Sequence, residues 1–125
     1  MFCLEHIGIC ARDTVSLKDW YVNYFNLEVV YDNKKDKPTF ILKFPDVGLL
    51  EIYPAESEND KYSNKHQGIR HIAFGSDNIE AEYKRLEKDL NIEKELSENA
   101  KGVKTFFFRD LEGNLIHYVQ RPTTL

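Results

Sequence analysis

The sequence contains Leu4-Glu5-His6-Ile7-Gly8-Ile9 and, 65 residues later, the similar stretch Ile69-Arg70-His71-Ile72-Ala73-Phe74. The similarity continues along both halves of the chain. At an offset of 66 residues, Thr39–Lys43 lies over Thr105–Arg109 and Leu49–Glu51 lies over Leu115–His117. Because order and spacing hold through a whole half, a duplicated unit explains these matches better than chance similarity between short apolar strings.

Each half is predicted to form a strand, a helix and three further strands. Apolar residues three and four positions apart indicate the helices, whereas alternation and β-branched residues indicate the strands. Asp13 or Thr14 caps the first helix, Asn26 ends it, and Asp77 or Asn78 caps the second. The predicted strands are Leu4–Ala11, Leu27–Asp32, Thr39–Phe44, Leu49–Tyr53, Ile69–Gly75, Ile92–Leu96, Val103–Arg109 and Leu115–Gln120.

These elements predict an α+β protein made of two βαβββ modules. The length of 125 residues and the hydrophobic fraction of 42% suit one compact domain over residues 1–125. Within it, module 1 covers residues 1–54, a polar connector covers residues 55–68, and module 2 covers residues 69–125.

Composition narrows the setting in which the protein works. The net charge of -4, with basic and acidic residues interspersed, gives no nucleic-acid-binding surface. No apolar run reaches the roughly 20 residues that cross a bilayer, and the N-terminus lacks a signal-peptide pattern. Cys3 immediately precedes the first predicted strand and Cys10 lies within it. Their odd separation of seven residues puts them on opposite sides of an extended chain, so they cannot pair with each other there. We therefore expect a soluble cytoplasmic protein with free thiols and no membrane partner.

Strand alternation places four polar side chains at equivalent positions of the two halves. His6 shares a strand face with small residues, and so does His71 in the fifth strand. Glu51 and His117 occupy matching positions in the last strand of each half. Three imidazoles and one carboxylate suit a single divalent metal ion, with zinc, nickel, cobalt, iron and manganese all open.

Taken alone, each of these residues has a simpler explanation. A lone strand histidine usually forms an ordinary hydrogen bond, and a lone Glu51 would be a solvated carboxylate. The repeat favours a shared metal site, because three of the four histidines and Glu51 fall at equivalent positions, while His66 lies in the connector. Tyr53 shares the face of Glu51 and is predicted to line a cavity beside the proposed metal ligands. Phe108, which alternates with Phe107, is assigned to the same lining, although core packing explains it equally well.

Taken together, these features resemble the vicinal-oxygen-chelate superfamily, which includes glyoxalase I, bleomycin-resistance proteins and extradiol dioxygenases. Beyond the two histidine strands, the resemblance rests on Trp20-Tyr21-x-x-Tyr24-Phe25, Leu49-Leu50-Glu51-Ile52 and Phe108-Arg109-Asp110-Leu111-Glu112-Gly113-Asn114-Leu115-Ile116. It implies a cup-shaped, mixed eight-stranded sheet with helices packed outside and a metal ion in the cup. It also implies a homodimer, with the metal site either within one chain or formed by His6 and Glu51 of one chain and His71 and His117 of the other.

The pattern resembles glyoxalase I-like proteins most. That resemblance implies a metal-dependent lyase or isomerase acting on a small oxygen-chelating substrate, with Glu51 as the catalytic base. His117 replaces a glutamate that is usual in those proteins, and Cys10 and Ala55 stand near positions where they tend to have an arginine and an asparagine. Strict glutathione dependence is therefore not expected. The alternatives are a small-molecule binding or resistance protein without chemistry and, ranked last, an iron dioxygenase, because four protein ligands leave fewer positions for oxygen.

Overall fold

The computed structural model describes residues 1–58 and 64–125. These residues fall into two compact units, Met1–Asn59 and Asp60–Leu125. The division lies within the predicted connector, residues 55–68, of which residues 59–63 are outside the described residues. The assignment of both halves to a single domain stays a prediction.

The first unit contains a four-stranded mixed sheet and one helix. Along the chain the elements are β1 (His6–Ala11), α1 (Thr14–Phe25), β2 (Glu28–Asp32), β3 (Phe40–Lys43) and β4 (Leu49–Pro54). The strands are ordered β1-β4-β3-β2. β1 is parallel to β4, and the other neighbours are antiparallel.

The second unit repeats this arrangement. Its elements are β5 (His71–Gly75), α2 (Ile79–Leu86), β6 (Asn91–Glu98), β7 (Lys104–Arg109) and β8 (Leu115–Gln120). The strands are ordered β5-β8-β7-β6, again with one parallel pair, β5 and β8. The structure therefore confirms the α+β class and the two βαβββ modules, with the eight strands in two sheets of four.

Side chains cap both helices at the predicted places. The Asp13 carboxylate accepts a hydrogen bond from the Ser16 backbone N–H at 3.0 Å, and Asn78 caps α2 in the same way. Asn26 ends α1 in the left-handed conformation with φ of 52°, which asparagine tolerates better than most residues. In the described part of the chain, neither helix is long and apolar enough to cross a membrane.

Each helix covers one face of its own sheet. α1 packs on β3 and β4, and α2 packs on β7 and β8. Each fully buried aliphatic side chain contributes roughly 1.5–3 kcal/mol. The core of the first unit includes Leu17, Tyr21, Leu42, Leu50 and Ile52, and that of the second includes Ile79, Leu86, Phe106, Phe108 and Ile116. Because side chains alternate along a strand, the residues between these point to the opposite face of each sheet.

The end strands β2 and β6 are irregular. All five residues of β2 are exposed, and its pairing with β3 shifts register between Val29 and Tyr31. β6 shifts register twice against β7, on either side of Lys94. β6 covers Asn91–Glu98 and is longer than the predicted Ile92–Leu96. The prediction was too short because a bulged, polar strand lacks the strict alternation that strand prediction requires.

A buried aspartate organises the turn between β7 and β8. The Asp110 carboxylate accepts hydrogen bonds from the backbone N–H groups of Glu112 and Asn114, both at 2.9 Å. We expect Asp110→Ala to lower the free energy of unfolding by about 2 kcal/mol, because it leaves these donors without their acceptor. Urea unfolding measures the loss. Asp46→Ala, in the exposed turn between β3 and β4, is the control, and an equal loss in both variants would contradict this role of Asp110.

Candidate metal centre

The first pair of predicted ligands lies on β1 and β4. Gly8 is the register partner of Glu51 in this parallel pair, and His6 lies two residues before Gly8. Partners in a sheet share a face, so His6 and Glu51 are on the same face of neighbouring strands. The pKa of His6 is raised mainly by its hydrogen bond to Glu5, and the negative charges of Glu5 and Glu51 raise it further.

The second pair repeats this geometry on β5 and β8. Ala73 is the register partner of His117, and His71 lies two residues before Ala73. The imidazoles of His71 and His117 meet edge to face, with ring centroids 4.7 Å apart. Burial lowers the pKa of His117, and the charges of His71 and Arg121 lower it further. A neutral His117 imidazole keeps a lone pair for a metal ion.

The environment of His117 fits a metal ligand. Its Nδ1 atom is buried and has no hydrogen-bond partner among the described residues. A buried polar nitrogen without a partner costs about 1–3 kcal/mol, and a bound cation is one way to supply that partner. The Phe107 ring stacks on the imidazole with a centroid distance of 4.5 Å and an interplanar angle of 8°, which fixes its plane.

Each half therefore brings two of the four predicted ligands together. Within residues 1–58 and 64–125, no group of three or more His, Cys, Asp or Glu side chains is arranged to hold a metal ion. The complete ligand set of His6, Glu51, His71 and His117 accordingly stays a prediction.

Tyr53 lies beside Glu51, on the face where alternation predicts it. A Cβ atom added to Gly8 would be 3.2 Å from Cε1 of Tyr53 and 4.0 Å from Oε1 of Glu51. The absence of a side chain at Gly8 thus leaves room for the Tyr53 ring next to the carboxylate. Contact between Tyr53 and a substrate stays a prediction.

Phe108 lies on the other side of its sheet from His117. It is fully buried and packs against Phe106 and Tyr118, with ring centroids 5.9 and 6.3 Å away. Phe107 is instead the register partner of His117 and lies on the site face. The sequence itself carries a signal for Phe107 rather than Phe108, because residues equidistant from the centre of the β7–β8 turn at Glu112 pair with each other.

A sequence model of the Glyoxalase/Bleomycin resistance protein/Dioxygenase superfamily matches residues 4–118. The chain belongs to this superfamily. Members of the superfamily commonly use a divalent metal. A search of curated protein sequences gave no match.

Solved structures with the superfamily fold are similar over nearly the whole chain. The glyoxalase family protein from Enterococcus faecalis is 26% identical with a TM-score of 0.78, and the match covers 93% of this chain and 95% of that chain. The lactoylglutathione lyase from Agrobacterium tumefaciens is 19% identical with a TM-score of 0.71, covering 94% and 92%. A glyoxylase/bleomycin resistance protein/dioxygenase domain from Frankia sp. EAN1pec is 14% identical with a TM-score of 0.81, covering 100% and 96%. The superfamily unites several activities, so membership alone does not select one.

Proposed function

We propose that this superfamily member is a metal-dependent lyase or isomerase of the glyoxalase I type, acting on a small substrate with two neighbouring oxygen atoms. The observation that carries the proposal is the equivalence of the two donor pairs. In each half, one donor is a histidine on the first strand and the other is a residue on the last strand. The register partner of that second donor lies two residues after the histidine. An approximate two-fold relation between two such pairs would direct four donors at one ion.

The ligands of the proposed site are His6, Glu51, His71 and His117, within one chain or across a homodimer. When bound, the divalent ion would act as a Lewis acid on the substrate oxygens. Two observations support the role of His117: burial favours its neutral state by lowering its pKa, and its buried Nδ1 atom has no hydrogen-bond partner in the part of the chain that the structure describes. Zinc, nickel, cobalt, iron and manganese all suit three nitrogen donors and one carboxylate.

Glu51 is the proposed base. It is the one carboxylate of the ligand set, because a histidine stands at the matching position of the second half. Its side chain is half-buried beside Tyr53, so part of it stays accessible to a substrate. In this role the Glu51 carboxylate takes a proton from one substrate carbon and returns it to the adjacent carbon.

The proposed substrate is smaller than a glutathione adduct. One structural neighbour is a lactoylglutathione lyase, but a similarity at 19% identity shows a shared fold and not a shared substrate. Cys10 lies on the exposed face of β1 and pairs in register with Tyr53, and Ala55 follows β4. Neither side chain offers the charged or amide groups that would hold the peptide part of glutathione.

Metal analysis followed by an exchange assay tests this function. We expect metal-depleted protein to rebind one divalent ion for each set of His6, Glu51, His71 and His117. The loaded protein is then expected to exchange substrate hydrogen for deuterium on an α-oxo-aldehyde adduct or a 2-oxo acid ester. Stoichiometric metal binding without exchange or turnover on any of these compounds would count against the lyase assignment.

Glu51→Gln is expected to lower the rate of this hydrogen exchange by at least about 100-fold, because an amide cannot act as the base. Nuclear magnetic resonance of the substrate in deuterated water measures the rate. Glu56→Gln, at an exposed position five residues further along the chain, is the matched control and should exchange at the wild-type rate. Unchanged exchange in Glu51→Gln would remove Glu51 as the base.

One observation favours a second function, the binding of a small molecule without chemistry. Phe107 stacks on His117, and the Lys94 ammonium lies 5.9 Å from the centre of the Phe107 ring. An aromatic surface with a nearby cation suits a planar, anionic ligand. Two results together would favour this function over the lyase. The purified protein would hold no metal above trace level, and Glu51→Gln would leave its affinity for a planar, anionic ligand unchanged.

A further inference from the structure

Two of the proposed histidine ligands have the same ring atom held by an oxygen. Nδ1 of His6 lies 2.9 Å from Oε2 of Glu5, and Nδ1 of His71 lies 2.9 Å from Oδ1 of Asn64. A carboxylate oxygen and an amide carbonyl oxygen can only accept a hydrogen bond. In each neutral ring, Nδ1 therefore carries the hydrogen and Nε2 keeps the lone pair.

We propose that Glu5 and Asn64 are positioning residues that hold His6 and His71 as Nδ1–H tautomers, so that Nε2 is the ring atom presented to a metal ion. The metal part of this inference rests on the proposed function, whereas the tautomers do not. Histidines that bind a metal commonly donate their other ring N–H to an acceptor, which fixes both the tautomer and the orientation of the ring.

The duplication does not explain this shared feature. At the offset of 65 residues that aligns the two histidine strands, Glu5 lies over Arg70 rather than Asn64. Glu5 immediately precedes β1, whereas Asn64 lies seven residues before His71, ahead of β5. The two halves thus use unrelated chain positions to place an acceptor on the same nitrogen.

Among the described residues, nothing occupies Nε2 of either ring. Neither His6 nor His71 forms a hydrogen bond through Nε2 with the described residues, and both side chains are exposed. An exposed imidazole without a fixed partner would exchange tautomers through water. Within residues 1–58 and 64–125, Nδ1 of His117 has no such acceptor, and the stacked Phe107 ring holds the imidazole plane instead.

The two acceptors differ in charge. The Glu5 carboxylate makes its imidazole more basic, whereas the Asn64 amide orients its ring without adding a charge. Glu5→Gln and Asn64→Asp both keep an acceptor oxygen and exchange the charge state. These conservative variants therefore separate orientation from charge.

The tautomers are read in metal-free, ¹⁵N-labelled protein by long-range proton–nitrogen spectra at about pH 9, where imidazoles are neutral. Wild-type His6 and His71 should show the Nδ1–H pattern. Glu5→Ala should shift only His6 towards the Nε2–H tautomer, and Asn64→Ala should shift only His71. Glu5→Gln and Asn64→Asp should keep the wild-type pattern. The His66 signal, in the connector, should be the same in every variant and serves as the internal reference.

Zinc titration of the same samples gives the second readout. Each alanine variant should bind Zn²⁺ about tenfold more weakly, and the conservative variants should recover most of the loss. Nε2–H tautomers in the wild type, or alanine variants with unchanged spectra and unchanged zinc affinity, would overturn the inference. The expected tautomers in a protein that binds no zinc would overturn the proposed function while retaining Glu5 and Asn64 as the groups that fix the two rings.

Discussion

His71→Ala is expected to lose most of its bound metal while remaining folded. Removing a direct ligand should weaken metal affinity by more than about 100-fold, because changes to outer-sphere partners already cost about 10–100-fold. The fold should survive, since His71 is exposed at the start of β5 and lies outside the helix-covered core. Elemental analysis after dialysis gives the occupancy, and circular dichroism gives the fold.

His66→Ala is the matched control for this variant. It removes an exposed imidazole from the connector and should leave metal occupancy at the wild-type level. Full occupancy in His71→Ala would remove His71 from the site. Equal losses in both variants would point to nonspecific binding of metal by surface histidines.

Phe108→Ala is expected to lower the free energy of unfolding by about 3–5 kcal/mol. Phe108 has no exposed surface and packs within an aromatic group with Phe106 and Tyr118, so the truncation opens a cavity that its rigid neighbours cannot fill. Urea unfolding followed by fluorescence measures the loss.

Phe107→Ala, one residue away, separates the core from the site. Phe107 is half-exposed and stacks on His117, so its truncation should cost less stability and should change the ring environment of His117. If Phe108→Ala were as stable as the wild type but altered metal or substrate binding, Phe108 would return to the site lining.

The fold was predictable because the local residue patterns and the internal repeat indicated the same arrangement of strands and helices. Alternation located the strands and spacing located the helices, and the offset of 65–66 residues required both halves to follow one plan. Asp13, Asn26 and Asn78 marked the helix ends correctly, because capping depends on local hydrogen bonds. The extent of β6 was not predictable, because its pairing with β7 depends on bulges, and bulges in a polar strand have no recognisable sequence pattern.

The site was predictable only in part. The repeat placed His6 and His71 at one equivalent position and Glu51 and His117 at another. The parallel registers show that His6 shares a face with Glu51, and His71 with His117. The acceptor role of Asn64 depends on how the chain turns before β5, which residue spacing does not fix. The choice between Phe107 and Phe108 required the register of the β7–β8 hairpin, which strand alternation alone does not supply but the position of the turn centre at Glu112 does.

The register shifts in β2 and β6 are expected to limit the association of one molecule with another at high concentration. An incoming peptide strand needs a straight row of backbone donors and acceptors, and a bulge interrupts that row and twists it away. β2 exposes Val29, Val30 and Tyr31, a short apolar segment that would otherwise be prone to cross-β assembly. We therefore expect the offset between Val29 and Tyr31 to oppose amyloid-like stacking of this segment, and deleting one residue to straighten the strand should promote fibril growth.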